Sequence, residues 1–407
     1  MMSNPISTRA RGELLRKPDV MRFFLARVIS VVGDKVYYIA LTAYTYSRYQ
    51  SALSVSTMLL CRTAPGLILA PISGVLGDRA NRKTLMITSD LVRAIILILL
   101  PFSSFMWQMY LGVFIISAFE TLFTPSSNAM FPGLVGKDSL KDANSLFSIG
   151  TQLAGLIGPS IGGMLLGTLH YQWAFILDAV SFLLSALLIL SLSVSGSGDH
   201  RPRDRFWRDA ASGIRTVLSL PQYRLIALSN VVMMLGAGFL NALLYVFASK
   251  ELGASDVEYG LMNSCIAAGA VLGAMAGVRL KVKSSRHLIP VMMCGLALTG
   301  FGAAFMGASR SIVASMALLG VIGAGNSIYN IFAVTVIQTS LPGDILAKAM
   351  GFLSAVTTTA SLVMLAVAGA LGDLLRTSTL LIVAGAISVI YSLWVIRRPL
   401  AVDGTAL

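Results

Sequence analysis

Charged residues are scarce in this chain of 407 residues. Only 12% of its residues are charged, whereas a typical soluble domain has about 25%. The hydrophobic fraction is 56%, and the mean hydropathy is +0.79. This composition excludes a soluble enzyme, because most of such a surface requires lipid around it, and it also excludes a disordered chain.

Cysteine and histidine are also rare, with three residues of each type. Cys61, Cys265 and Cys294 lie in apolar runs without the spacing of metal ligands, so we interpret them as packed thiols with no chemical role. Three cysteines also exclude a disulfide-stapled secreted fold. The histidines are expected at or beyond the membrane edge, which argues against a histidine proton relay. We therefore predict no catalytic residue, no metal and no cofactor.

Long apolar runs are abundant. A helix that crosses about 30 Å of hydrocarbon needs about 20 apolar residues. By this criterion the sequence predicts an all-α integral membrane protein with twelve transmembrane helices, in segments 21–46, 52–77, 84–104, 107–128, 140–168, 171–194, 224–248, 257–279, 288–307, 311–336, 346–371 and 377–396.

The chain has a net charge of +13. The distribution of its basic residues among the loops indicates membrane orientation rather than nucleic-acid binding. Twenty-three basic residues lie in loops on the side of the termini, against four on the other side, Arg48, Lys250, Arg310 and Arg376. Basic loops are typical of the cytoplasmic side, so we expect both termini there, in a bacterial cytoplasmic (inner) membrane. Met1–Lys17 has no apolar core, which favours a cytoplasmic tail over a signal peptide.

A long polar stretch after the sixth span divides the chain into pseudo-symmetric halves. Residues 137–143 resemble 343–349, and 74–83 have a weaker echo in 277–286. Two such six-helix halves are typical of secondary transporters, with the site at their interface. The predicted regions are a cytoplasmic tail (1–20), an N-terminal half (21–194), a linker with an amphipathic helix (195–223), a C-terminal half (224–396) and a second cytoplasmic tail (397–407).

The loop after the second span reads Gly74-Val-Leu-Gly-Asp78-Arg79-Ala-Asn-Arg82-Lys83. The glycines allow close approach, and Asp78 can bind a helix N-terminus or an arginine in one conformation only. The loop resembles motif A of the major facilitator superfamily, with Asn81 at the second-glycine position. This resemblance implies a conformational latch of the outward-open state, formed by Gly74, Gly77, Asp78, Arg79, Arg82 and Lys83. The alternative is a basic loop that only sets orientation.

The fifth span contains Gly158-Pro159-Ser-Ile-Gly162-Gly163. Small residues permit close helix packing, and Pro159 is expected to bend the helix. The segment resembles the later part of the superfamily's antiporter motif, which implies antiport rather than uniport or symport. Ala154 replaces an expected glycine, and the fourth span lacks the arginine of the family's proton-relay motif. The alternative is glycine-rich packing without a role in coupling.

Four further segments resemble one branch of the superfamily, the macrolide-efflux-like drug:proton antiporters, whose relatives include siderophore exporters. They are Arg27–Asp34, Cys61–Pro65, Phe123–Pro132 and Ala174–Phe182. The likeness is strong over residues 20–195 and thin beyond.

Charged residues inside membrane spans are expensive and usually functional. All lie in the first half: Arg27, Asp34, Lys35, Arg62, Asp90, Arg93, Glu120 and Asp178. Asp34 is expected near mid-membrane at about the depth of Arg62 on the neighbouring antiparallel helix, at a rise of about 1.5 Å per residue, so we expect the two side chains to form an ion pair. We predict that Asp34, Glu120 and Arg62 couple proton movement to transport. The alternative for all of these charges is a structural ion pair that never titrates, and we favour it for Asp90, Arg93 and Asp178, near the ends of their spans.

Aromatic and amide side chains are predicted to line the substrate cavity. They are Tyr37, Tyr38, Asn241, Tyr245, Asn326, Tyr329 and Asn330. Rings with a few amides suit a bulky, largely apolar ligand. Ordinary helix packing is the alternative for each of them.

The combined interpretation is a monomeric transporter with a twelve-helix major facilitator fold in a lipid bilayer. It would export amphipathic small molecules that are drug-, macrolide- or siderophore-like, by alternating access. Protons would supply the energy by antiport, and we do not expect nucleotide hydrolysis, since no G-x-x-x-x-G-K-[ST] motif is present. The alternatives are a lipid or lysophospholipid flippase on the same fold and a non-transporting membrane sensor or scaffold.

Overall fold

The computed structural model describes residues 14, 16–69, 73, 81–136, 139–193, 221–280, 285–340 and 343–397. Within these ranges the chain forms twelve α-helices and no strand. The helices are α1 (Pro18–Tyr49), α2 (Ala52–Ile68), α3 (Arg82–Leu99), α4 (Met106–Val135), α5 (Leu140–Thr168), α6 (Tyr171–Leu190), α7 (Pro221–Lys250), α8 (Asp256–Arg279), α9 (Ser285–Ala308), α10 (Ile312–Ser340), α11 (Gly343–Gly372) and α12 (Thr377–Arg397).

Each predicted span coincides with one of these helices, and ten of them are long and apolar enough to cross a membrane. The exceptions have identifiable causes. α1 has 32 residues but includes Arg27, Asp34 and Lys35, and α2 has 17 residues within the described range. The predicted amphipathic linker helix lies almost entirely outside the described residues, as do Gly74, Gly77, Asp78 and Arg79 of the predicted latch.

The outer surface of α6 is apolar, as expected for a helix that is surrounded by lipid. Leu184, Leu187 and Leu190 are 44%, 61% and 59% exposed, and they share one face of the helix. The polar residue Asp178 is fully buried on the same helix. A helix with apolar residues outside and a carboxylate inside is stable only when hydrocarbon surrounds it.

Contacts divide the described helices into two compact units. The first contains α1 up to Tyr44, α2 from Cys61 onward and α3 to α6, and the second contains residues 45–60 with α7 to α12. Phe23, Phe131 and Phe147 pack together in the core of the first unit, with ring centroids 4.7–6.1 Å apart.

The second unit is built on close contacts between helix backbones. A Cβ atom at Gly300 of α9 would lie 2.7 Å from the Gly385 carbonyl of α12. A Cβ atom at Gly273 of α8 would overlap the backbone of Ala324 in α10. Small residues at these crossings bring helices close enough to pack by van der Waals contact, which drives association in lipid.

Candidate functional site

The first unit contains a fully buried ion pair. The Arg93 guanidinium donates a hydrogen bond to the Asp90 carboxylate one turn earlier on α3, and both side chains are at most 3% exposed. Arg93 Nε also donates to the Ser89 carbonyl at 3.3 Å. The spacing of three residues places the two side chains on one face of the helix. This arrangement agrees with the structural ion pair that the sequence favoured for these residues.

Aromatic rings complete the surroundings of Arg93. Its guanidinium lies 4.0 Å from the ring centre of Phe182 and 4.9 Å from that of Phe123. The Arg27 guanidinium lies 5.6 Å from the same Phe123 ring. The faces of aromatic rings attract cations, so the Phe123 ring stabilises arginines from both α1 and α3.

Asp34 of α1 lies in the field of several charges. Glu120 acts on it as a like charge, and the opposite charges are Arg93, Arg62 and Lys35. Arg62 in turn interacts with both Glu120 and Asp34. The structure thus brings the three predicted coupling residues, Asp34, Glu120 and Arg62, into one electrostatic cluster within the first unit.

The expected direct pair between Asp34 and Arg62 is absent from the described ion pairs, which join nitrogen and oxygen atoms within 4.0 Å. The Arg62 guanidinium instead lies over the Tyr38 ring, 5.3 Å from its centre. The sequence predicts a similar depth for the two residues but not the lateral distance between them. Arg62 therefore attracts Asp34 only by long-range electrostatics. No direct bond between the two side chains fixes either of them in this conformation.

Asp178 of α6 lies directly against α1. It is fully buried, and a Cβ atom at Gly33 would overlap one of its carboxylate oxygens. The Ser181 hydroxyl donates to this oxygen at 3.1 Å. The other carboxylate oxygen has no hydrogen-bond partner among the described residues. Its charge also acts with that of Asp34, which lies next to Gly33 in the chain.

The glycine-rich segment of α5 packs directly against the charged part of α1. Gly158, Pro159, Gly162 and Gly163 are all buried. A Cβ atom at Gly158 would lie 2.6 Å from Lys35 Cβ, and one at Gly162 would lie 3.0 Å from the Val36 carbonyl oxygen. These glycines let α5 approach α1 beside Asp34, and whether they also set antiport remains a prediction.

We expect Gly158→Ala to destabilise the protein by about 1–3 kcal/mol, because the added methyl group forces α1 and α5 apart. The measurement is an unfolding titration with SDS in mixed micelles. Gly155→Ala is the matched control on the same helix, since a Cβ atom there meets nothing within 4 Å. The control should be at least as stable as the wild type, because alanine favours a helix over glycine by about 0.5–1 kcal/mol. Equal stability of the two variants would contradict the packing role of Gly158.

The described part of the predicted latch is the start of α3. The Asn81 side chain caps this helix by accepting hydrogen bonds from the Lys83 and Thr84 amides at 3.0 and 3.2 Å. Arg82 donates to the Ala129 carbonyl at 3.3 Å, and Lys83 donates to the Leu192 carbonyl at 2.7 Å. Asparagine is a favoured helix cap, which explains its presence where the family pattern has glycine.

The predicted cavity residues fall into two groups. Tyr37, Tyr245 and Tyr329 are buried, with exposures of 1%, 8% and 1%. Tyr37 packs on the Phe175 ring at 5.6 Å, and the Tyr329 hydroxyl donates to Asn230 at 2.6 Å. Exposed surface is retained by the other residues, Tyr38, Asn241, Asn326 and Asn330. The first group acts in packing in this conformation, so the second group offers the better ligand contacts.

Comparison with known proteins agrees with this architecture. The sequence model described as Major Facilitator Superfamily matches residues 23–228 and 226–406. The uncharacterised MFS-type transporter YfiS of Bacillus subtilis (strain 168) is 26% identical over 416 residues, which cover 96% of this chain and 94% of YfiS. The enterobactin exporter EntS of Shigella boydii serotype 18 is 26% identical over 368 residues, with coverages of 88% and 86%.

Solved structures show the same fold at low sequence identity. The nucleoside transporter NupG superimposes with a TM-score of 0.75 at 13% identity, covering 92% of this chain and 98% of NupG. A bacterial homologue of the iron transporter ferroportin, in an inward-facing state, gives a TM-score of 0.71 at 16% identity, with coverages of 95% and 100%.

Apolar helices of membrane-spanning length in two matched repeats, with charges buried in the first repeat, define a multi-pass membrane transporter rather than an enzyme. The two family matches together extend over nearly the whole chain. The chain belongs to the major facilitator superfamily, and the predicted fold is confirmed.

Proposed function

We propose that this transporter exports amphipathic small molecules of drug-, macrolide- or siderophore-like type and is driven by proton antiport. The observation that carries the proposal is Asp34, a carboxylate inside a transmembrane helix, in the field of Glu120, Arg93 and Arg62. A carboxylate loses its charge when it binds a proton. Its attraction to the arginines and its repulsion from Glu120 therefore both change with each proton bound.

Proton coupling requires that protonation and substrate bias the same conformational equilibrium. Asp34 is suited to this role because it lies on α1, beside the closely packed glycine face of α5. A change in the charge of Asp34 acts on the helix whose packing must adjust when the transporter changes conformation. Arg62, without an ion pair to Asp34 in this conformation, is free to approach it in another.

The direction and substrate class are supported by a relative and by side-chain chemistry. EntS is named an enterobactin exporter, which favours export over uptake in this branch. Tyr38 offers an aromatic surface, and Asn241 and Asn330 offer exposed amides, which suit a ligand with both apolar and polar groups. The proposed location is the bacterial cytoplasmic membrane, with both termini in the cytoplasm, because the basic loops lie on the side of the termini.

Purified protein in liposomes tests this function. A thermal-shift screen with enterobactin, a macrolide and a lysophospholipid first identifies a ligand, and that ligand is then loaded for transport. We expect an imposed pH gradient to drive the ligand against its concentration gradient, and a protonophore to stop it. Transport that ignores the pH gradient would refute proton antiport, and a thermal shift with the lysophospholipid alone would favour a flippase.

A further inference from the structure

The pattern Gly-x-Leu-Gly-Asp occurs at the ends of two spans. It reads Gly74-Val-Leu-Gly-Asp78 after α2 and Gly369-Ala-Leu-Gly-Asp373 at the end of α11. The first copy is part of the predicted latch. The second copy is not part of any predicted site. The structure describes every residue of the second copy and its contacts.

Asp373 caps a helix that is distant in sequence. One carboxylate oxygen accepts hydrogen bonds from the Ser51 hydroxyl at 2.6 Å and the Leu53 amide at 3.3 Å, and the other accepts from the Ala52 amide at 2.7 Å. Ala52 and Leu53 are the first residues of α2. Their amides have no partner within the helix, and the helix dipole favours a negative charge there. The contact is therefore a charge-assisted bond between Asp373 and the start of α2.

The two glycines before Asp373 make this contact sterically feasible. A Cβ atom at Gly369 would overlap the side chain of Ser56, and one at Gly372 would lie 2.8 Å from Ala52 Cβ. Ser56 is fully buried and Ala52 is 1% exposed. The end of α11 thus lies directly against the first turn of α2, with no space for a larger residue.

The end of α1 makes a second contact beside the first. The Tyr46 ring lies 5.5 Å from the Tyr245 ring of α7, and Lys250 Nζ lies 5.7 Å from the centre of the Tyr46 ring. The Tyr245 hydroxyl donates to Asp256 at 2.7 Å, which fixes the orientation of the ring. Residues 45–60 are therefore held by helices α7 and α11 at one end of the second unit.

The residues that form this contact belong to different family repeats in the sequence. Residues 45–60 belong to the first family repeat, matched at 23–228, whereas Tyr245, Gly369 and Asp373 belong to the second, matched at 226–406. The α1–α2 and α11–α12 connections both follow an odd number of spans. They therefore lie on the membrane side opposite to the termini, which the basic residues indicate is the outer side.

We propose that Gly369–Asp373 is an outer latch, which holds the transport pathway closed on the outer side by capping α2. Alternating access through the interface of the repeats, on which this inference rests, requires the start of α2 to separate from the ends of α7 and α11 for outward release. Separation breaks the bonds between Asp373 and the first turn of α2, so these bonds stabilise only the closed outer side.

Distance measurements between spin labels test the latch without substrate or a pH gradient. Ser47 and Arg376, which are both exposed, are each replaced by cysteine and spin-labelled. The background variant has Cys61, Cys265 and Cys294 changed to alanine, so that only the introduced cysteines carry labels. We expect Asp373→Ala to raise the ratio of outward-open to outward-closed molecules about fivefold, since loss of a helix cap costs about 1 kcal/mol. Gly369→Ala should shift the distances in the same direction, because its methyl group overlaps Ser56 while the charge of Asp373 is retained.

Two matched controls separate the latch from general destabilisation. Glu258→Ala removes a carboxylate that caps α8 within the same unit, where it binds Ser255. Gly351→Ala adds a methyl group to α11 at a position with nothing within 4 Å. Both controls should keep the wild-type distances.

Unchanged distances in both Asp373→Ala and Gly369→Ala would overturn the outer latch, as would equal shifts in the controls. If Asp373→Ala does not fold, Asp373→Asn keeps the acceptor oxygen without the charge and should give a smaller shift of the same sign. The result is independent of the energy source, because a failure of proton antiport leaves these distances unaffected.

Discussion

Asp34→Asn is expected to abolish proton-driven uphill export while the variant still folds and binds substrate. The amide has nearly the shape of the carboxylate but cannot take up and release a proton. The charge at this position would then be the same in every step of the cycle, so the pH gradient could no longer bias the conformations through it. Downhill movement of substrate needs no such bias and should persist.

The measurement is uphill transport in liposomes, with and without an imposed pH gradient, together with substrate binding at several pH values. Asp19→Asn is the matched control, because Asp19 lies on the same helix in a partly exposed pair with Arg22, at 3.2 Å. The control should transport at the wild-type rate. Uphill transport by Asp34→Asn at that rate would place coupling elsewhere, and Glu120→Gln would be the next variant to measure.

Arg93→Ala is expected to destabilise the protein by about 3–5 kcal/mol, because it leaves the Asp90 carboxylate buried without its partner. The loss of ring contacts with Phe123 and Phe182 acts in the same direction. The measurement is the same SDS titration in mixed micelles, supported by the yield of folded protein. Arg310→Ala is the control, since Arg310 is 65% exposed in its pair with Glu251, and such pairs contribute at most about 1 kcal/mol.

A double variant separates pairing from other roles of Arg93. Asp90→Asn combined with Arg93→Met removes both charges and keeps similar side-chain volumes. We expect it to recover most of the lost stability, because a buried ion pair is often replaced by neutral residues without net loss. If the double variant is as unstable as Arg93→Ala, the role of Arg93 lies in its contacts with the aromatic rings rather than in neutralising Asp90.

Features that depend on local sequence were predictable. Apolar runs located all twelve helices, and the three-residue spacing of Asp90 and Arg93 placed them on one face of α3. Gly158 and Gly162 indicated a close crossing but not the partner helix, which is α1. The position of Arg62 was less predictable, because depth in the membrane follows from counting residues whereas lateral distance depends on how helices pack.

The sequence by itself determined the number of spans, their apolar surfaces, the concentration of basic residues in alternate loops and the restriction of charges in span interiors to the first half. These properties follow from the composition of each segment and its transfer between water and lipid. Only the tertiary structure decided that Asp373 caps α2, that Asp178 lies against Gly33 and that Arg62 faces Tyr38 instead of forming an ion pair with Asp34. Each of these contacts joins residues on different helices, and no helix records in its own sequence which neighbour its side chains will contact.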